Sequence, residues 1–245
     1  MDTIQNKLWV ICLNIKENSS VSKSKEYILD AIILLVIVQI ARVIIKYIFL
    51  SQLNFTLENI NIVNIISIML VGISTSLILR GSDLFNSAGQ KLIKLNNRYN
   101  NKNKNKRLIL GVITIGAICI TPYFSGGYLS SNLIILILSL IAQPIFEEVI
   151  FREYVWNYIS SFQKDEKKVL IIVSILSALF KIGYWDIISQ NLSVVGSSFF
   201  TIDIIVSKVC IGLIIAFMIG IVKIKYKDTY LCIFVHSLIN IFFAR

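Results

Sequence analysis

Seven apolar stretches of about 20 residues divide this chain, and they constrain its fold more than any other feature. A helix needs about 20 mostly apolar residues to cross a bilayer. With 56% hydrophobic and 16% charged residues, the chain also differs strongly from soluble globular proteins. We therefore predict an all-α, polytopic transmembrane bundle. The predicted spans are Asp30–Phe49, Ile60–Leu79, Leu108–Gly127, Ser131 to Phe151 or beyond, Val169–Trp185, Phe200–Val222 and Thr229–Phe243.

Lysine and arginine residues lie in alternate connections between these spans, and this alternation predicts the orientation in the membrane. They precede the first span, separate the second from the third, and follow the fourth and the sixth. The other three connections contain neither residue. We expect a cytoplasmic N-terminus and an outside C-terminus. The formal charge of +10 therefore reflects the basic connections between spans and does not indicate a nucleic-acid-binding domain. The predicted partner is the lipid bilayer, and no nucleic-acid partner is predicted.

Two regions are predicted from the sequence. Residues 1–107 would contain two transmembrane helices and a basic cytoplasmic linker, and residues 108–245 would form the membrane core. The linker includes the Asn-Lys run at 100–106, which is too polar to bury itself. We expect that run to be a flexible connection.

Ionisable residues interrupt the fourth span in the run Pro144-Ile-Phe-Glu-Glu-Val-Ile-Phe-Arg152. Charged residues inside a membrane are costly and indicate a functional site by default. Pro144 favours a kink or a restart of the helix, which would place Glu147 and Glu148 near a helix N-terminus. Glu148 and Arg152 are four residues apart and can pair, which leaves Glu147 free to face a cavity. The simpler alternative is a structural ion pair between helices.

Two further segments carry polar residues at a spacing of four. His236 is the only histidine and shares a helix face with Asn240, while Phe180 shares one with Tyr184. A single histidine in an apolar helix is more often a hydrogen-bonded core residue, and aromatic residues at this spacing usually pack. Neither segment alone indicates catalysis.

In this order the three segments resemble the CAAX-protease and bacteriocin-processing family of intramembrane enzymes, also called the Abi family. Its pattern of Glu-Glu-x-x-x-Arg, Phe-x-x-x-His and His-x-x-x-Asn is matched by the residues named above, except that Tyr184 replaces the second-motif histidine. The resemblance covers about residues 131–243. It implies a helical intramembrane peptidase whose catalytic residues are Glu147, Glu148, Arg152, Tyr184, His236 and Asn240.

By this resemblance Glu147 would activate water, Arg152 would order the glutamates, and His236 with Asn240 would assist the water or the oxyanion. Two substitutions argue against ordinary turnover. Tyr184 cannot exchange protons near neutral pH as imidazole does, and Lys181 could neutralise a glutamate by pairing with it. A zinc cofactor is doubtful, because catalytic zinc usually has three protein ligands and only one histidine is offered.

Three functional hypotheses remain open. The first is a glutamate-dependent intramembrane peptidase acting on a peptide or membrane protein, in bacteriocin self-immunity or peptide processing. The second is a catalytically inactive relative that binds and regulates a membrane partner. The third and weakest is a transporter, suggested only by Asp203 and Lys208 in the sixth span. The richness in Ile, Asn and Lys favours a bacterial cell membrane as the location.

Overall fold

The computed structural model describes residues 23–53, 56–81, 83–125, 127–195 and 201–243. The predicted all-α fold is confirmed, since the described residues are helical apart from short connections and include no strand. The first 22 residues, which belong to the predicted N-terminal region, lie outside the described residues. The helices are α1 Lys23–Leu50, α2 Leu57–Gly81, α3 Asp83–Phe124, α4 Ser130–Ile137, α5 Gln143–Glu148, α6 Trp156–Phe162, α7 Glu166–Phe180, α8 Trp185–Val195, α9 Thr201–Tyr226 and α10 Thr229–Phe243.

Six helical stretches among the described residues are long and apolar enough to cross a membrane. They correspond to the first six predicted spans, and the seventh is the shorter apolar helix Thr229–Phe242. Large apolar side chains such as Val36, Leu77 and Ile214 are exposed on their outer surfaces. Exposed apolar surface on this scale is expected where a protein faces lipid instead of water.

The predicted flexible linker is wrong, because α3 continues as one helix from Asp83 through the Asn-Lys run to Phe124. Tertiary contacts at the end of the run favour helix over disorder. Asn103 donates a hydrogen bond of 2.9 Å to the Tyr226 carbonyl, and Arg107 pairs with Asp228. These contacts join the middle of α3 to the end of α9 and the connection between α9 and α10. These tertiary contacts therefore stabilise a helix in a run whose polarity alone would favour disorder.

The fourth span runs from Asn132 to Phe162, so the predicted continuation beyond Phe151 is confirmed. The predicted break at Pro144 is absent, since the backbone stays helical on both sides of it. Two π-helical segments, Leu138–Ala142 and Val149–Val155, flank α5 instead. A π-turn absorbs the ring and the missing N–H of proline without ending the helix. Glu147 and Glu148 consequently do not lie at a helix N-terminus.

The helices pack so that α5 lies in the interior of the bundle. It contacts α2 on one side and α10 on the other, while α9 packs along α7. Phe146 and Phe151 of this span both contact Phe180 of α7 through their rings, with centroids 6.1 and 5.3 Å apart. The polar run of the fourth span is therefore held between apolar walls.

Close packing of α9 on α7 depends on Gly220. A Cβ at this position would lie 2.1 Å from Leu170 Cδ1, whereas a Cβ at Gly116 would meet nothing within 4 Å. We expect Gly220→Ala to destabilise the folded protein by roughly 1–3 kcal/mol through overpacking. Gly116→Ala is the matched control and should leave stability unchanged or raise it, because alanine favours helix. Thermal unfolding in detergent measures both, and equal melting temperatures would contradict the packing argument.

Candidate active site

A cavity of about 350 Å³ lies in the interior of the bundle, between the fourth span and helices α7, α9 and α10. The structure brings five of the six predicted site residues to its wall, and Arg152 joins them through Glu148. Lys181 and Lys208 also line it. The polar residues of the three sequence motifs therefore meet at one place. The five predicted residues at the wall are Glu147, Glu148, Tyr184, His236 and Asn240.

Glu148 is held from two directions by positively charged or proton-donating groups. Its Oε2 lies 3.3 Å from Arg152 Nε, and its Oε1 lies 2.8 Å from His236 Nδ1. The predicted pairing of Arg152 with a glutamate is therefore present. A carboxylate only accepts hydrogen bonds, so Nδ1 carries the proton in the neutral imidazole and Nε2 keeps its lone pair. All three side chains are at most 3% exposed.

Arg152 also reaches the next helix, because its Nη2 donates a 2.7 Å hydrogen bond to the Ala216 carbonyl in α9. The guanidinium thus joins the fourth span to α9, while Glu148 joins the same span to α10 through His236. A buried ion pair is stabilised only when its remaining donors and acceptors find partners. These bonds engage Arg152 Nη2 and Glu148 Oε1, whereas Arg152 Nη1 bonds to no described residue and is left for a ligand or water.

Glu147 is fully engaged by a neighbouring lysine. Lys181 Nζ lies 2.7 Å from Oε1 and 2.6 Å from Oε2, and Gln143 Nε2 donates a further 2.9 Å hydrogen bond to Oε1. The expectation that Lys181 could neutralise a glutamate is met at Glu147. In this arrangement the carboxylate is not available to take a proton from water until Lys181 moves away from it.

Tyr184 lies beside this ion pair at the end of the one-turn 3₁₀ segment Lys181–Tyr184. Its hydroxyl is buried beside the Glu147 carboxylate but makes no hydrogen bond of good geometry to any residue that the structure describes. Its ring packs edge to face on Phe180, with centroids 5.9 Å apart, so the predicted contact of the two aromatic residues is present. The unused hydroxyl is a donor available to a ligand in the cavity.

Asn240 is bound to the backbone of the fourth span, with Nδ2 donating a 2.8 Å hydrogen bond to the Ser139 carbonyl. The π-helical register explains why that carbonyl is free. Gln143 donates its N–H to Leu138, five residues earlier, so the next donor would be Pro144 to Ser139. Proline has no N–H, and the side chain of Asn240 takes its place.

Sequence reasoning missed Arg42 and Lys46 in α1, both fully buried. Arg42 donates to both oxygens of Asp186 at 3.1 and 2.5 Å and to the Gly183 carbonyl at 2.7 Å, while Lys46 lies 2.6 Å from Asp186. The signal was present, since two cations four residues apart in an apolar span share one helix face.

The position of Tyr184 depends on this cluster. The Arg42 guanidinium lies 5.2 Å from the centre of the Tyr184 ring, and Gln39 binds the Phe180 carbonyl at 3.1 Å. Helix α1 thus holds the 3₁₀ segment from both ends. Substituting a larger residue at Gly183 would place a Cβ 2.4 Å from Gln39, so the approach of the two elements requires glycine there.

The residues of the cavity do not fit a metal ion. Within the described part of the chain, no three His, Cys, Asp or Glu side chains are grouped so as to hold one. His236 and Glu148 already bind each other, and Glu147 binds Lys181. We assign no step to a metal.

One comparison with known proteins identifies the core. Residues 129–242 match the family model described as Rce1-like, type II CAAX prenyl endopeptidase. This segment belongs to the CAAX-protease family. The resemblance seen in the three motifs is thereby confirmed. No curated protein and no solved structure matches the chain.

Family membership supports an intramembrane peptidase in a bilayer at the level of the family. All six predicted site residues fall inside the matched segment, as does Lys181. Arg42 and Lys46 of α1 fall outside the matched segment, and they reach the cavity wall through Asp186 and Gly183.

Arg152→Ala should lower membrane abundance, because it leaves Glu148 buried beside His236 without its guanidinium. Removing one member of a buried pair costs about 3–5 kcal/mol. The double variant Arg152→Met with Glu148→Leu removes both charges and should recover much of that loss. Lys168→Ala, at an exposed position of α7, is the control. Quantitative immunoblotting of membranes measures abundance, and a normal level for Arg152→Ala would contradict the pairing.

Proposed function

We propose that this chain is a glutamate-dependent intramembrane peptidase of the CAAX-protease type. The observation that carries the proposal is the meeting of Glu147, the Glu148–Arg152–His236 network and Asn240 at one buried cavity. Scattered structural ion pairs would have no reason to converge on a shared space. The family match supports the same class of reaction.

In the proposed reaction Glu147 removes a proton from a water molecule, whose oxygen then attacks the carbonyl carbon of a peptide bond. The electron pair of the carbonyl moves to its oxygen. When the tetrahedral intermediate collapses, the C–N bond breaks and the departing nitrogen takes the proton from Glu147. Lys181 must move away from the carboxylate before the first of these steps.

The remaining groups divide into positioning and stabilising roles. Arg152 and His236 hold Glu148, and the Nε2 of His236 is left to accept a hydrogen bond from water. Tyr184 Oη is the better candidate for donation to the oxyanion, since it is buried and unused, whereas Asn240 Nδ2 already binds Ser139. A preorganised donor in a dry cavity stabilises developing negative charge more than one in water.

We base the proposed biological setting on the charge alternation and composition of the sequence. The chain would lie in a bacterial cell membrane with its N-terminus in the cytoplasm, its C-terminus outside and a peptide or membrane-protein substrate. Bacteriocin self-immunity or peptide processing would be its role, as in the bacterial branch of the family that it resembles. The charge alternation and the composition support this setting.

A second candidate function is favoured by one observation. Lys181 Nζ bridges both oxygens of Glu147, which blocks the base in the resting state. A catalytically inactive relative that binds and regulates a membrane partner would tolerate this ion pair, and would also tolerate Tyr184 in place of histidine.

Glu147→Ala separates the two functions. If Glu147 is the base, cleavage should fall by at least 10²-fold at equal membrane abundance, since general base catalysis contributes about 10²–10⁴-fold. Terminal-peptide proteomics on membranes from cells expressing each variant measures cleavage without a known substrate. Glu166→Ala removes a surface carboxylate and is the control. Cleavage products that persist unchanged in Glu147→Ala would exclude the peptidase.

Tyr184→His tests whether the missing imidazole limits turnover. Histidine restores a group that exchanges protons near neutral pH, so the variant should cleave faster by roughly 10-fold or more. Lys181→Gly should raise activity separately by freeing Glu147, and the double variant should exceed either single one. The measurement is the steady-state rate at which each purified protein cleaves the substrates that the proteomics identifies. No gain in any variant, with partner binding intact in the wild type, would favour the inactive relative.

A further inference from the structure

Helix α2 carries two fully buried amide side chains, three of whose four polar atoms bond to no residue that the structure describes. Asn61 and Asn64 are at most 1% exposed. Asn61 Oδ1 and both polar atoms of Asn64 make no hydrogen bond to any described residue. An unsatisfied buried polar group costs about 1–3 kcal/mol, and such groups are nearly always bonded in folded proteins. Among the described residues no protein group fills this role.

The two amides lie in line with the cavity. Residues 61, 64 and 68 share one face of a helix, and Ile68 forms part of the cavity wall. At 1.5 Å per residue, Asn64 lies about 6 Å and Asn61 about 10 Å from Ile68 along the axis. Asn61 is only one turn from the start of α2 at Leu57. The helix face that carries residues 61, 64 and 68 thus extends from the cavity to the N-terminal end of α2.

The neighbouring helix points to the same route. Helix α8 packs against α2, and its Ile187 and Ile188 also line the cavity. Ser67 adds a buried hydroxyl one turn from Asn64 and donates to the Asn64 carbonyl at 3.0 Å. Three polar side chains therefore lie within two turns of a helix that is otherwise apolar in this region.

The unbonded atoms select the chemistry of the ligand. Asn61 Oδ1 and Asn64 Oδ1 need donors, whereas Asn64 Nδ2 needs an acceptor. A cation cannot satisfy the amide nitrogen, and an anion cannot satisfy the two oxygens. Water does both, and buried water molecules typically make about three hydrogen bonds to such groups.

We propose that Asn61 and Asn64 bind water molecules that connect the cavity with the membrane face at which α2 begins. The site itself stands on the unbonded amides alone. Its use, the supply of one water molecule for each bond hydrolysed in a membrane interior, rests on the proposed peptidase function.

Cysteine accessibility tests the site without any peptidase assay. The variants are Asn61→Cys and Asn64→Cys, and the control is Val63→Cys, an equally buried position on another face of α2. A charged, membrane-impermeant methanethiosulfonate reagent is added to reconstituted full-length protein, and peptide mass spectrometry locates the modification among the natural cysteines. Positions 61 and 64 should react at least 10-fold faster than position 63. Rates no faster than that of the control would overturn the proposal.

Asn61→Leu and Asn64→Leu provide the second measurement, since leucine has a similar size and no polar atom. If water is the partner, melting temperature should stay equal or rise, because a group that needed hydration is gone. Where cleavage is measurable, kcat should fall several-fold at unchanged KM. A lower melting temperature with full activity would assign the amides a structural role and overturn the proposal. Labelling at 61 and 64 combined with cleavage by Glu147→Ala would refute the peptidase function alone.

Discussion

The interior of this bundle depends on Glu148, a buried carboxylate that binds two other helices at once. Through Arg152 it is linked to the Ala216 carbonyl of α9, and through His236 it is linked to α10. In a low-dielectric interior, a charge without partners costs far more than the same charge held by several hydrogen bonds. The helices are therefore restricted to an arrangement in which these groups meet, and the cavity with Glu147 on its wall follows from it.

The sequence predicted the parts that follow from local spacing. Apolar length located the spans, and separations of four predicted the pairs Glu148–Arg152 and Phe180–Tyr184. It could not predict contacts between distant segments. Arg42 and Asp186 are 144 residues apart, so only the packed structure reveals that α1 holds the 3₁₀ segment. The helix through the Asn-Lys run was mispredicted for the same reason, because its stabilising partners lie beyond residue 225.

The fourth span also departs from local rules in a way that serves the site. Proline at position 144 predicts a kink or a restart of the helix, and the backbone instead stays helical through it, with π-helical turns on either side. Proline has no N–H to donate to the Ser139 carbonyl, and Asn240 in α10 donates to this carbonyl instead. A local defect in one helix thereby becomes a specific bond between two helices. Because the helix is not interrupted, Glu147 lies near the middle of a 31-residue span.

Lys181 and Tyr184 occupy the same one-turn segment, so the ion pair of Lys181 with Glu147 and the position of the Tyr184 hydroxyl are coupled. A movement of this segment that withdraws Lys181 from Glu147 must also move Tyr184, whose ring is held by Arg42 and whose neighbour Gly183 is bound through its carbonyl. Helix α1 resists that movement with two buried cations on Asp186. The separation of Lys181 from Glu147 therefore depends on a rearrangement that includes α1. Helix α1, which lies outside the segment that matches the family model, thereby helps to hold Lys181 on Glu147.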